Sequence, residues 1–309
     1  MKTIWLVLAL FLSLHCCAAE VHNLIKARKD AEAIALLKAH PELLELKDDM
    51  QRTPLHMAAC YGTANMVKFL VNTGADLNTI SYNKFTPLHV CHDPESATIL
   101  VKAEARTDLI DAWGNTAMQS LARNPNYHAV CEAMIKAGVP LDVITALFLK
   151  RRDDVIKMVR QNPELVKQHS DAMTLWNNET PLGLAVANQD FEMVKLFVSL
   201  GAPVNGGTYM VNAGNVTTPL CTAIVLGDVN IARFLLENGA TVTGAAGKFY
   251  PNIVDFAVER SDRPMKDLLY RYIQDPRLMD KSMDKPKREI EAKATVHAPG
   301  TLETSTTNK

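Results

Sequence analysis

Apolar positions along this chain return at helical spacing, in short stretches punctuated by glycine. In "NMVKFLVNTGADLN" (65–78), "FEMVKLFVSLGAPVN" (191–205) and "NIARFLLENGATVT" (230–243), apolar residues three and four apart line one face and polar residues the other. Each stretch predicts an amphipathic helix that ends at Gly74, Gly201 or Gly239, where glycine can take the left-handed conformation of a helix end. Upstream of each lies a second, more uniformly apolar stretch. "TPLHMAACYG" (53–62) opens on a threonine that can cap the free amides of a first turn. The proline after it fits that turn because its missing N–H is not needed there. Gly62 and Gly227 are expected to break the chain between the two helices in left-handed conformations. After the second helix the chain extends and turns back, as in "DAWGNT" (111–116).

This unit repeats. "TPLHMAA" at Thr53 is followed 33 residues later by "TPLHVCH" at Thr86, and "NTAMQSLA" places Thr116 30 residues further on. "TPLGLAVA" begins at Thr180, "TPLCTAI" at Thr218, and "YPNIVDFA" at Tyr250 is a worn copy. Self-similarity at this period marks a repeat architecture. With "TPLHMAACYG…GADLN" and "DAWGNT", the chain resembles the ankyrin repeat family over residues 21 to 272. The resemblance implies an all-α solenoid of about eight helix–loop–helix repeats with β-hairpin-like fingers between them. It assigns Thr53, Pro54, His56, Thr86, Pro87, His89, Thr180, Pro181, Thr218 and Pro219 to the scaffold, with the imidazoles of His56 and His89 bonding the threonine hydroxyl and nearby backbone. Cys221 replaces that histidine in its own repeat.

The resemblance also implies a binding surface, the concave face made of finger tips and exposed first-helix residues. The corresponding positions hold Tyr61, Tyr82, Phe85, Trp113 and Trp176. The long finger at 206–217 adds Tyr209 and Met210, and Phe249 precedes the last copy. Exposed aromatics gathered on one face mark a contact site. Packing of each ring on the neighbouring finger is the alternative.

Two copies lack the Thr-Pro start: "DAEAIALLKAHPELLELKDDM" (30–50) and "DDVIKMVRQNPELVKQHSDAM" (153–173). They match each other, and each follows a short helical run, 21–28 and 144–151. The first fits the polar cap that a repeat array needs. The second divides the chain into blocks at 20–143 and 144–272, unless the array is continuous and the likeness fortuitous. The tail at 273–309 is rich in Lys, Asp, Thr and Pro and is expected to be disordered.

Residues 1–19 read as a secretory signal: Lys2, an apolar core from Ile4 to Leu14, then Cys17-Ala18-Ala19 with cleavage after Ala19. The apolar run is shorter than a bilayer span needs. The expected location is a periplasm or the secreted fraction, with no membrane association after cleavage. The chain has 33 basic and 34 acidic residues and a net charge of −1. That balance offers no electrostatic footprint for nucleic acid.

Four cysteines remain in the mature chain: Cys60, Cys91, Cys131 and Cys221. They are widely spaced, and Cys131 aligns with the buried Val67 position. "HVCHD" (89–93) sets His89 and His92 three apart, on one helix face, with Cys91 between. A closed zinc site needs four ligands, and no partner cluster is evident. Asn178 and Asn215 head glycosylation sequons. No phosphate loop, nucleophile elbow or acid–base pair is found. The expectation is therefore a non-catalytic, cofactor-free monomer that binds a protein partner. The competing class is a thiol- or metal-dependent protein using Cys60, Cys91, His89 and His92.

Overall fold

The computed structural model describes residues 19–168, 179–206, 218–242, 257 and 263–274. Within them the chain is a row of helix pairs. They are α1 (19–26) with α2 (Asp30–Ala39), α3 (Pro54–Tyr61) with α4 (Ala64–Asn72), and a 3-10 turn (Pro87–Val90) with α5 (Pro94–Lys102). Next come α6 (Ala117–Ala122) with α7 (His128–Lys136), and α8 (Val143–Phe148) with α9 (Arg152–Gln161). Then follow α10 (Pro181–Ala187) with α11 (Phe191–Ser199), and α12 (Pro219–Leu226) with α13 (Val229–Glu237). A C-terminal helix (Arg263–Gln274) packs on α13. Second helices stack on second helices, as α4 on α5 and α5 on α7, and first helices do the same, as α10 on α12.

Caps set the helix starts. The Thr180 and Thr218 side chains accept from the amides of Gly183 and Cys221, with proline as the first helical residue each time. Asp93, Asp190 and Asp228 cap second helices in the same way. The amphipathic faces bury as predicted. Met66, Val67 and Leu70 of α4 are fully buried, each such large apolar side chain stabilising by about 2 kcal/mol.

Gly74, Gly201, Gly227 and Gly239 are left-handed. Gly62 corrects its expectation, with φ −77° and ψ −154°. Glycine is required there by proximity, since a Cβ would lie 2.8 Å from the Cα and carbonyl oxygen of Ala58.

The first three fingers are hairpin turns rather than strands. Each of them closes with the same backbone bond: Asp48 N–H to Arg52 O, Ser81 N–H to Phe85 O and Asp111 N–H to Asn115 O, all at 2.9 Å. The ladder pattern among the described residues amounts to one isolated antiparallel bridge, Ile110 to Thr116. Neighbouring fingers are joined by Tyr82 N–H to Met50 O at 3.3 Å and Ala112 N–H to Asn83 O at 2.9 Å.

The buried apolar residues form two clusters, one running from Val21 to Val139 and one from Val143 to Leu269, with Leu141 and Phe148 packing against both. The two copies without Thr-Pro have matching geometry. Arg28 and Lys150 both have φ 56°, ahead of α2 and α9. Both helices lead through a non-helical residue, His40 (φ −133°, ψ 73°) or Asn162 (φ −138°, ψ 93°), into a 3-10 turn starting at Pro41 or Pro163.

Candidate partner-binding face

The fingers stand on histidines. In the second repeat the Nδ1 of buried His56 accepts from the Thr53 N–H at 3.2 Å and the Thr53 hydroxyl at 2.9 Å. On the far side of the ring, Nε2–H donates to the Phe85 carbonyl at 2.9 Å, at the root of the next finger. His89 repeats this with Thr86 N–H at 3.2 Å, Thr86 Oγ1 at 2.8 Å and the Asn115 carbonyl at 3.2 Å. Burial is the main cause that lowers His56 to a pKa of about 4, and it lowers His89 as well. In the repeat of Thr218 the position holds Cys221, to whose sulfur the Thr218 hydroxyl lies at 3.2 Å.

His22 was missing from the sequence expectations. Its Nε2 lies 3.0 Å from the Arg52 carbonyl, the contact that His56 and His89 make one and two repeats on. Thus α1 is a first helix in register with α3. The recoverable signal is "AEVH" at 19–22, spaced 34 residues before His56, with alanine and glutamate in place of Thr-Pro.

On this footing the finger tips carry apolar side chains into solvent. Tyr82 is 67% exposed and Met50 50%, on adjacent fingers joined through their backbones. Phe85 and Trp113 are half-buried, their rings 5.5 Å apart, so these two pack finger on finger. Tyr61 is exposed at the end of α3, with the Lys26 ammonium 5.6 Å from its ring centre and Arg28 Nε–H donating to its carbonyl. Trp176, Tyr209, Met210 and Phe249 lie outside the described residues, as do the sequon residues Asn178 and Asn215.

The reactive side chains do not assemble. The helical turn ends at Val90 and Cys91 is extended, so His89 and His92 do not share a helix face. His89 turns inward, whereas His92 is exposed and stacks on Tyr127 at 4.4 Å. The residue before Pro94 is barred from helix by the proline ring, which is the local cause of the break. Cys60 is half-buried, 3.8 Å from His92 Nδ1, and Cys91, Cys131 and Cys221 are buried; all four are free thiols. Burial pushes Cys91 and Cys131 up to about 12 and raises Cys60, the opposite of an activated thiolate. Among the described residues no three His, Cys, Asp or Glu side chains converge as a metal site, and no helix is long and apolar enough to cross a membrane.

Comparison with known proteins places this geometry. The family described as ankyrin repeats matches residues 18–111 and 152–245, most of the chain. The chain belongs to the ankyrin repeat family. Similar proteins include the human transient receptor potential cation channel subfamily A member 1, 29% identical over 178 residues that are 53% of this chain and 16% of the channel. The mouse B-cell lymphoma 3 protein homolog is 23% identical over 207 residues, 67% of this chain and 40% of that protein. The human ASB11 ankyrin repeat domain is similar in structure, at 22% identity and a TM-score of 0.45, covering 71% of this chain and 98% of that domain. This ankyrin chain thus spans well under half the length of these two larger proteins. Ankyrin repeats generally mediate protein–protein interaction, and the fold is typically non-enzymatic.

Proposed function

We propose that this ankyrin chain is an exported, monomeric, non-catalytic module that holds a protein partner on its finger face. The observation that carries the reading is the pair Met50 and Tyr82, exposed apolar tips of two fingers locked together by a backbone bond. A preorganised surface of this kind loses little conformational freedom on docking. Tyr61 extends it along α3, and Trp113 supports it through Phe85. Trp176, Tyr209, Met210 and Phe249 are proposed to continue the face into later repeats. The two apolar clusters support blocks at 20–143 and 144–272 as separate units of one array.

The test starts with capture of the partner from the exported fraction, followed by titration with Tyr82→Ala, Met50→Ala and Trp113→Ala. Tyr82→Ala is expected to weaken binding by about 2 kcal/mol or more with the melting temperature unchanged. Trp113→Ala should lower both stability and affinity, because its ring also packs on Phe85. Normal affinity in all three folded variants would move the partner elsewhere on the molecule. Export predicts a mature chain starting at Glu20, read by intact mass.

A further inference from the structure

The histidines under the first fingers form a row. His22, His56 and His89 each bond the carbonyl of the residue just ahead of the next repeat's threonine: Arg52 at 3.0 Å, Phe85 at 2.9 Å and Asn115 at 3.2 Å. Each bond ties the root of a finger to the preceding helix. These are the fingers that carry Met50, Tyr82 and Trp113.

The partners of the second and third rings fix their protonation. A backbone N–H can only donate, so Nδ1 of His56 and of His89 must present a lone pair. A carbonyl can only accept, so Nε2 carries the single proton. A second proton would put an N–H against the N–H of Thr53 or Thr86. The threonine hydroxyl can turn to accept the new N–H, but the bond from the threonine N–H is lost and the two N–H groups repel, so protonation strains the ring that also holds the finger carbonyl.

We propose that the fingers at 78–85 and 108–115 are held by a histidine latch that acid releases, and that its release dismantles the face which, on the reading given under Proposed function, holds the partner.

The charged surroundings are few. Asp48 and Arg52, paired at 2.7 Å, bear on both His22 and His56. Lys47 adds a positive charge near His56 and opposes its protonation. Asp111 faces His89 and favours it. Desolvation outweighs these charges at His56 and His89, so the closed latch binds protons less readily than the open one. Closure is therefore complete above the ordinary histidine range and weakens as pH falls through it.

The chain carries a non-titrating counterpart of the threonine cap, without the bond to a finger carbonyl. At the same position in the fourth repeat stands Gln119, whose Oε1 accepts from Thr116 N–H at 3.1 Å while its own N–H donates to Thr116 Oγ1 at 3.3 Å. In the second block the position holds Thr145, Gly183 and Cys221. The latch thus belongs to the first block alone among the described residues.

Amide hydrogen exchange on the full chain at pH 7.5 and 4.5, corrected for intrinsic rates, tests this without a partner. Peptides over the fingers at 78–85 and 108–115 should exchange about tenfold faster or more at the lower pH, with α11 and α13 as internal reference. In a variant combining His56→Gln and His89→Gln, exchange of these two fingers should be independent of pH. Equal protection of the wild-type fingers at both pH values, or the same acid response in the double variant, overturns the latch. If the double variant does not fold, NMR of the wild type decides. His56 and His89 ring titrations should coincide with shifts of the Tyr82 and Ala112 amides, and ring titration without an amide response overturns the latch. Partner titration across the same range separates the two readings. Fingers that open in acid while affinity holds support the latch and overturn docking on the finger face.

Discussion

Two buried polar residues set opposite terms for stability. His56 has a folded pKa of about 4, below the ordinary histidine value, because burial penalises its cation. Its contribution is whole above roughly pH 6.5 and is lost as pH falls toward 4, about 3 kcal/mol in all. Equilibrium unfolding between pH 7 and 4 should show this loss, and His56→Gln should flatten part of the slope. Glu179 is the reverse case. Burial raises its pKa despite Arg123 at 2.6 Å, and its Oε2 and Arg123 Nε have no hydrogen-bond partner. The pair returns less than its desolvation costs. Glu179→Gln should therefore leave stability at pH 7 nearly unchanged, whereas Arg123→Ala should cost roughly 3 kcal/mol by stranding a buried carboxylate. Denaturant titration of both variants checks this. The scaffold role of His56 was legible in the repeat motif, but the ion pair was not, because Arg123 and Glu179 belong to different helix pairs and meet only through stacking.

Helix starts and stops, by contrast, were legible, because caps are local chemistry. Thr180-Pro181 and Thr218-Pro219 open helices, and Gly74, Gly201 and Gly239 turn left-handed where their helices end. The misread elements fail for physical reasons. Gly62 answers to crowding by Ala58, which involves the helix it follows rather than its own torsion. The 3-10 turn at Pro87–Val90 stops short, so the apparent His89–His92 face does not form. His22 escaped notice because its repeat lacks the threonine and proline that reveal the others. Two fingers also depart from the expected residue type. Gln51 and Lys84 take φ 59° and 56° where the third finger has Gly114 at 80°. Gln51→Gly and Lys84→Gly should each raise stability by up to roughly 1 kcal/mol, since glycine carries no Cβ penalty there. Gly62→Ala should lower it by roughly 1–3 kcal/mol through overlap with backbone atoms. Thermal melts read all three.

Across the whole molecule the core is a sum of neighbouring interfaces rather than a single centre. Its two clusters meet near Leu141 and Phe148. A cavity made in one should be felt weakly in the other. Leu70→Ala, at a fully buried site in α4, should cost about 2–5 kcal/mol and lower exchange protection from α2 to α7, with α11 and α13 nearly unaffected. Uniform loss of protection along the chain would show a single cooperative unit instead. The exposure of the candidate residues was only partly legible: position in the repeat placed Tyr82 and Tyr61 outside, but the Phe85–Trp113 contact spans two fingers and follows from their pitch.

The bonds between fingers are directional. In the first three fingers the amide four residues before the threonine is donated to the carbonyl three residues before the previous threonine, as Tyr82 does to Met50 and Ala112 to Asn83. These two joints therefore have the same plug and the same socket. Removing 53–85 whole would bring Thr86 directly after Arg52, with Ala112 facing Met50 and His22 still meeting the Arg52 carbonyl. Such an excision should yield a shorter array with sound joints, while a cut of half that length should not fold. Units with interchangeable connectors can be gained or lost by in-frame duplication and deletion, so array length can vary in descent without redesign of any joint.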